Sequence, residues 1–195
     1  MNYSIREMRK EEYSLLGDFL YEAIYIPDGT ATPPKSVIAC PELQVYIADF
    51  GNSKHDKALI AEVDGNIVGA IWARIMNDYG HIDDNTPSLA MSVFKAYRGM
   101  GIGTSLLTQM LSTEKAAGYA KLSLSVQKDN YSQYEYNRNS KSDENIRRFH
   151  GSIPSESPYS QRKCLWIFRS ERSGKIHNDE NVSRFDAADR RKLSY

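Results

Sequence analysis

Hydrophobic and polar positions alternate in short runs along much of this chain, and the runs stop abruptly near residue 131. Residues 3–8 alternate and predict a first strand, and residues 10–23 set Tyr13, Leu16, Phe19, Leu20 and Ala23 on one helical face. Three prolines and a glycine between Ile26 and Pro34 exclude regular structure, and the run Leu43 to Phe50 predicts a short helix. The clearest pattern is a hairpin. Lys57 to Val63 and Asn66 to Arg74 flank Asp64-Gly65, a favoured tight-turn pair because both central residues take positive φ. A polar loop, 77–87, leads into the alternating run Leu89 to Phe94. An amphipathic run with Leu106, Leu107, Met110 and Leu111 follows and ends at Gly118, as a helix C-terminus does. Ala120 to Val126 alternates again, so strand, helix and strand form a parallel crossover.

The turn between the run at 89–94 and the helix reads Arg98, Gly99, Met100, Gly101, Ile102, Gly103, Thr104. The first N–H groups of a helix lack intrahelical partners, the helix dipole favours negative charge there, and glycines leave the amides accessible. The turn is therefore a place to hold phosphate, and Arg98 adds a positive charge. The Walker loop needs Gly-Lys-Ser/Thr, which is absent, and the dinucleotide fingerprint needs its third glycine one position after Gly103. The pattern Arg-x-x-Gly-x-Gly, with Val93 four residues before Tyr97 and Ile102, Leu106 and Leu107 beyond, resembles the GNAT superfamily of acyl-CoA-dependent N-acetyltransferases. The resemblance covers residues 57 to 131.

The resemblance implies an α/β (α+β) fold: a mixed, mainly antiparallel sheet flanked by helices, with the motif strand and the strand around Leu124 splayed apart. It also implies acetyl-CoA as co-substrate, without a metal. Its pyrophosphate would lie on the amides of Gly99, Met100, Gly101, Ile102, Gly103 and Thr104, beside Arg98. Its pantetheine arm would bond main-chain groups of Met91 and Val93, the Val93 amide polarising the thioester carbonyl. By the same resemblance Asn130 contacts the cofactor, Tyr136, with Tyr134 as neighbour, returns a proton to the leaving thiolate, and residues 26–50 cover the acceptor site. An alkylamine with a pKa of roughly 10 must lose a proton before attack. His81, Asp83 and Asp84 lie in the loop before the motif strand, and Asp83 is the candidate base. Tyr21, Tyr25, Asp78 and Tyr79 make an aromatic and acidic set that could suit a small cation.

Composition divides the chain. Lys plus Arg and Asp plus Glu are 25 each, which argues against nucleic acid or an anionic membrane as partner. No run of roughly 18 apolar residues and no basic-then-apolar leader is present, and Cys40 and Cys164 have no paired spacing, so a cytoplasmic protein is expected. Residues 1–136 read as the GNAT-like, acetyl-CoA-binding domain. After Tyr136 the family has a Gly-Phe and two closing strands, whereas this chain continues Asn137-Arg138-Asn139-Ser140-Lys141. Residues 132–195 hold seven Ile, Leu and Val, and arginine outnumbers lysine nine to four there, against four to eight before. That change predicts a segment, 137–195, that is read in a shifted frame or joined from elsewhere and is largely irregular, leaving the edge of the strand at 120–126 open. Its one strand candidate is Lys163 to Arg169, which either pairs with the sheet edge or stays exposed. Two functions follow: an N-acetyltransferase acting on a primary amine of a small molecule or protein, or an acyl-CoA-binding domain impaired in catalysis. A nucleic-acid-binding tail is the weakest reading, because its basic residues are interspersed with acids.

Overall fold

The computed structural model describes residues 2–26, 29–78, 81–127, 146–152 and 161–168. Its strands are β1 (Ser4–Glu7), β2 (Lys57–Val63), β3 (Asn66–Arg74), β4 (Ser88–Val93), β5 (Lys121–Gln127), β6 (Ile146–Ser152) and β7 (Gln161–Phe168). They form one sheet in the order β1-β2-β3-β4-β5-β7-β6, antiparallel at every pairing except β4 with β5. The helices are α1 (Leu16–Ala23), α2 (Pro41–Gln44) and α3 (Ile102–Ala116). The hairpin follows its turn residues: Asp64 and Gly65 take φ of 50° and 78°, the double positive φ that matches strand twist.

Alternation along the strands divides the core between the two sheet faces. On one face α3 lays Ile102, Leu106, Leu107, Met110 and Leu111 over Leu59, Ala61, Ile71, Leu89, Leu122 and Leu124. On the other, α1 packs Leu16, Phe19 and Leu20 against Ala58, Ile60, Ala70, Trp72 and Ala90. Trp72 is wholly buried and its indole N–H donates to the Tyr46 carbonyl, 3.1 Å, so its one polar atom is satisfied.

Three expectations need correction. The helical face over 10–23 opens as a 3-10 turn, Lys10–Leu15, before α1 begins. The helix expected over 43–50 lies earlier, at Pro41–Gln44, because proline suits a first helical position, where no N–H bond is required. Beyond it, the carbonyls of Val45 and Ala48 accept from the Arg74 guanidinium, and Asp49 takes φ 53°, so the chain turns instead of continuing the helix. The third correction concerns the edge of β5, expected to lie open. The strand candidate at Lys163–Arg169 falls largely within β7, which pairs with β5 from Lys121 opposite Ile167 to Gln127 opposite Gln161. The edge of β5 is thus covered. The strand that pairs is the tail's one apolar run, Cys164 to Phe168, and a free row of N–H and C=O groups along β5 takes it as a partner.

Candidate active site

The parallel pair β4 and β5 meets at one rung, Ser88 opposite Ser123, fastened by the Ser123 amide on the Pro87 carbonyl, 2.9 Å, and by the two serine hydroxyls, 2.8 Å apart. The ladder is not continued through the rest of β4. The Phe94 amide donates to Val68 of β3, 3.0 Å, which fixes the alternation: Phe94, Ser92 and Ala90 bond β3, and the main-chain groups of Met91 and Val93 point away from it, toward β5. Beside these groups lies a cleft of about 790 Å³, bounded by Met91 to Val93, by the glycine loop and by the C-terminal end of α1 with Tyr21, Tyr25 and Ile26.

The loop has the geometry expected for an anion. Gly101 is the N-cap of α3 with φ 80°, a left-handed conformation that side chains resist, and its carbonyl takes the first helical bond from Ser105. The amides of Ile102, Gly103 and Thr104 therefore precede the first helical bond, and no side chain caps them. Gly99 has φ 76°. Gly103 serves a different purpose: a Cβ there would lie 3.3 Å from the Met91 Cε, so glycine lets the first turn of α3 approach β4 closely. The Met100 side chain is exposed, and that of Ile102 is buried in the core.

Arg98 is engaged twice. Its Nε donates to the Val93 carbonyl, 2.8 Å, and an Nη donates to Glu22 Oε1 of α1, 2.7 Å. The Val93 carbonyl is thus taken, while its amide faces the gap. Glu22 was not foreseen from sequence, where a glutamate on the polar side of a helix carries no sign of a partner far along the chain.

Asp83 does not line the cleft. Its Oδ1 accepts from the Asn85 amide, 2.9 Å, and the Thr86 hydroxyl, 2.7 Å, so it ties the turn that enters β4. Burial pushes its carboxyl up, but the two donors, together with nearby Lys121 and His81, outweigh burial and hold it below the ordinary range. His81 bonds the Met76 carbonyl through Nδ1, and Asp84 lies 3.9 Å from its Nε2. Of the aromatic and acidic set, Tyr21 and Tyr25 line the cleft, whereas Asp78 accepts from Tyr46 and Ser88 hydroxyls away from it, at 3.0 and 2.9 Å. Tyr79, Asn130, Tyr134 and Tyr136 lie outside the described residues.

Residues 21–136 match the family model described as "Acetyltransferase (GNAT) family", over more than half of the chain. The chain belongs to the GNAT acetyltransferases. Among solved structures, a GNAT-family acetyltransferase from Staphylococcus aureus Mu50 is similar at 20% identity and TM-score 0.59, covering 84% of this chain and 98% of its own. The PaiA N-acetyltransferase of Thermoplasma acidophilum, solved in complex with coenzyme A, gives 17% identity and TM-score 0.58, covering 86% and 100%. The ribosomal-protein-S18-alanine N-acetyltransferase of Escherichia coli gives 11% identity and TM-score 0.55, covering 90% and 98%. No curated protein sequence matches the chain. These likenesses establish the GNAT fold. Among the described residues no three His, Cys, Asp or Glu side chains are grouped to hold a metal, and no helix is long and apolar enough to cross a membrane.

Proposed function

We propose that this chain transfers the acetyl group of acetyl-CoA to a primary amine, of a small molecule or a protein, by direct attack. The observation that carries the reading is the convergence of open main-chain groups on one cleft: those of Met91 and the amide of Val93 from β4, and the amides of Ile102, Gly103 and Thr104. The helix-start amides suit the two phosphates, and the edge of β4 suits the amide groups of the pantetheine arm. The Val93 amide is assigned to the thioester carbonyl oxygen, where it stabilises the charge that develops on attack. The amine nitrogen then forms the new C–N bond as the C–S bond breaks, and the thiolate takes a proton, a step we assign to Tyr136. Asp83, already bonded twice and held low, makes a poor base, and we assign the amine's proton to water in the cleft. The same reading sets the reaction in the cytoplasm, where acetyl-CoA is made available to a soluble enzyme.

The alternative of coenzyme A binding without turnover rested on an open edge at β5, and β7 covers that edge. The test is a panel of primary amines incubated with acetyl-CoA, scored by release of free thiol. Thiol release that depends on both protein and amine is expected. Binding of coenzyme A with no thiol release for any amine would return the chain to the binding reading.

A further inference from the structure

Glu22 and Arg98 both line the cleft and meet in an ion pair of 2.7 Å between the C-terminal half of α1 and the loop that starts α3. The pair is asymmetric. Arg98 is fixed from behind by the bond from its Nε to the Val93 carbonyl, which holds the guanidinium at the mouth of the cleft whatever Glu22 does. Glu22 is the more covered partner, 21% exposed against 50% for Arg98. Around it α1 is fastened to β4 by the Ser92 hydroxyl on the Phe19 carbonyl, 2.7 Å, and by the stacked rings of Phe19 and Phe94, 4.9 Å between centroids. The carboxylate is therefore delivered to Arg98 by a packed helix. A guanidinium has five N–H donors; one goes to Val93 and another to Glu22, and its charge is offset before an anion arrives.

We propose that Glu22 sets the affinity of this cleft for coenzyme A by offsetting the charge of Arg98 and occupying one of its donors, so that both are withheld from the phosphates. The inference rests on the cleft being the coenzyme A site. Phosphate binding then falls to the neutral amides at the start of α3, and coenzyme A leaves readily after transfer. Removing the carboxylate frees a guanidinium that Val93 still aims at the cleft, and a freed guanidinium forms charge-assisted bonds with phosphate.

The experiment is calorimetric titration of coenzyme A into the wild-type protein, Glu22→Gln, Glu22→Asp and the double variant Glu22→Gln/Arg98→Gln, at low and high salt. Glu22→Gln is expected to bind about three- to tenfold tighter at low salt, with the gain shrinking as salt screens it. Glu22→Asp, which keeps the charge, is expected to stay nearer the wild type. The gain is expected to vanish in the double variant, and turnover of Glu22→Gln to become limited by coenzyme A release. Glu22→Gln binding no tighter than the wild type would overturn the proposal, as would a gain that survives loss of Arg98. Absence of coenzyme A binding by the wild-type protein would instead sink the assignment of the cleft itself, a different result from an unchanged Glu22→Gln.

Discussion

The two ends of the central strands solve opposite problems. At the end where β4 runs into α3, polar capacity is left open: helix-start amides and the inner edge of a strand that has lost its neighbour. At the other end, where β2 and β5 begin and β3 finishes, charge is shut in. Asp56, 1% exposed, lies 3.3 Å from the Arg74 Nε, and its second oxygen accepts from the Gly51 amide, 2.8 Å. Glu114, wholly buried on α3, has neither carboxylate oxygen hydrogen-bonded, and His55 Nδ1 bonds the Tyr119 hydroxyl beside it. Burial pushes the Tyr119 phenol up, with the Glu114 and Asp56 charges adding to it. Open backbone groups make a binding site at little cost in stability, whereas enclosed charges couple stability to every change nearby.

The largest expected effect breaks the closed end. Asp56→Ala removes one member of a buried pair and leaves Arg74, 12% exposed, without its carboxylate, which costs about 3–5 kcal/mol. Denaturant unfolding measures it. The coenzyme A affinity of the folded protein should change by less than about threefold, since well-separated sites act independently. A loss of both together would show that the two ends are one unit.

Breaking the open end should do the reverse. Gly101→Val forces a β-branched residue into φ 80° at the N-cap of α3 and turns the first amides away from the cleft. Coenzyme A affinity should fall by about 10²-fold or more, equivalent to about 2.7 kcal/mol, while the hairpin at Asp64-Gly65 stays folded. Calorimetric titration beside far-ultraviolet circular dichroism separates the two outcomes, and undiminished affinity would remove the loop from the site.

The open end was legible in sequence because glycines, a hairpin pair and period-two runs are local signals. Gly101 had to be glycine for reasons contained within its own turn. The enclosed end was not legible, because Asp56 finds Arg74 only after β2 and β3 have paired, and Glu22 finds Arg98 only after α1 has packed on β4. Glu114 did carry a signal: it continues the series Leu107, Met110, Leu111 at helical spacing, so it had to fall on the apolar face. In the tail, sparse aliphatic residues suggested an open edge at β5, while its one strand candidate, Lys163 to Arg169, overlaps β7, the strand that covers that edge.

Glu114 sharpens the comparison through pH. Burial raises its carboxyl to about 7, with nearby Lys57 acting in the opposite sense. The folded protein thus keeps a proton that the unfolded chain releases near 4.5, its ordinary value. The stability associated with this group is fully present below that value and is lost as pH rises through about 7, after which both states are ionised and the loss levels off. Glu12 works in the other direction. Hydrogen bonds from Arg6, and next from the Arg9 amide, hold it down to about 2, so its contribution fades only in acid. Glu114→Gln should therefore flatten the fall in Tm between pH 4.5 and 7 and leave the acid limb intact. A Glu114→Gln protein that still loses stability over that window would place the titration elsewhere.

The smallest effect concerns Asp83, which lies toward the closed end and ties the turn that starts β4. Asp83→Asn keeps an oxygen for the Asn85 amide and the Thr86 hydroxyl and loses only the charge that strengthens both bonds. The loss should be about 0.5–1 kcal/mol at neutral pH. Because the folded carboxyl lies below its ordinary range, this contribution is present above the unfolded value and disappears as pH falls through the folded one, so variant and wild type should converge in acid. Turnover with a reactive amine should stay within about threefold, with the pH–rate profile unmoved, since a group that only shapes a turn takes no proton. A hundredfold fall with a displaced profile would make Asp83 a participant in the reaction, and the loop before β4 would then have to reach the cleft when the acceptor binds.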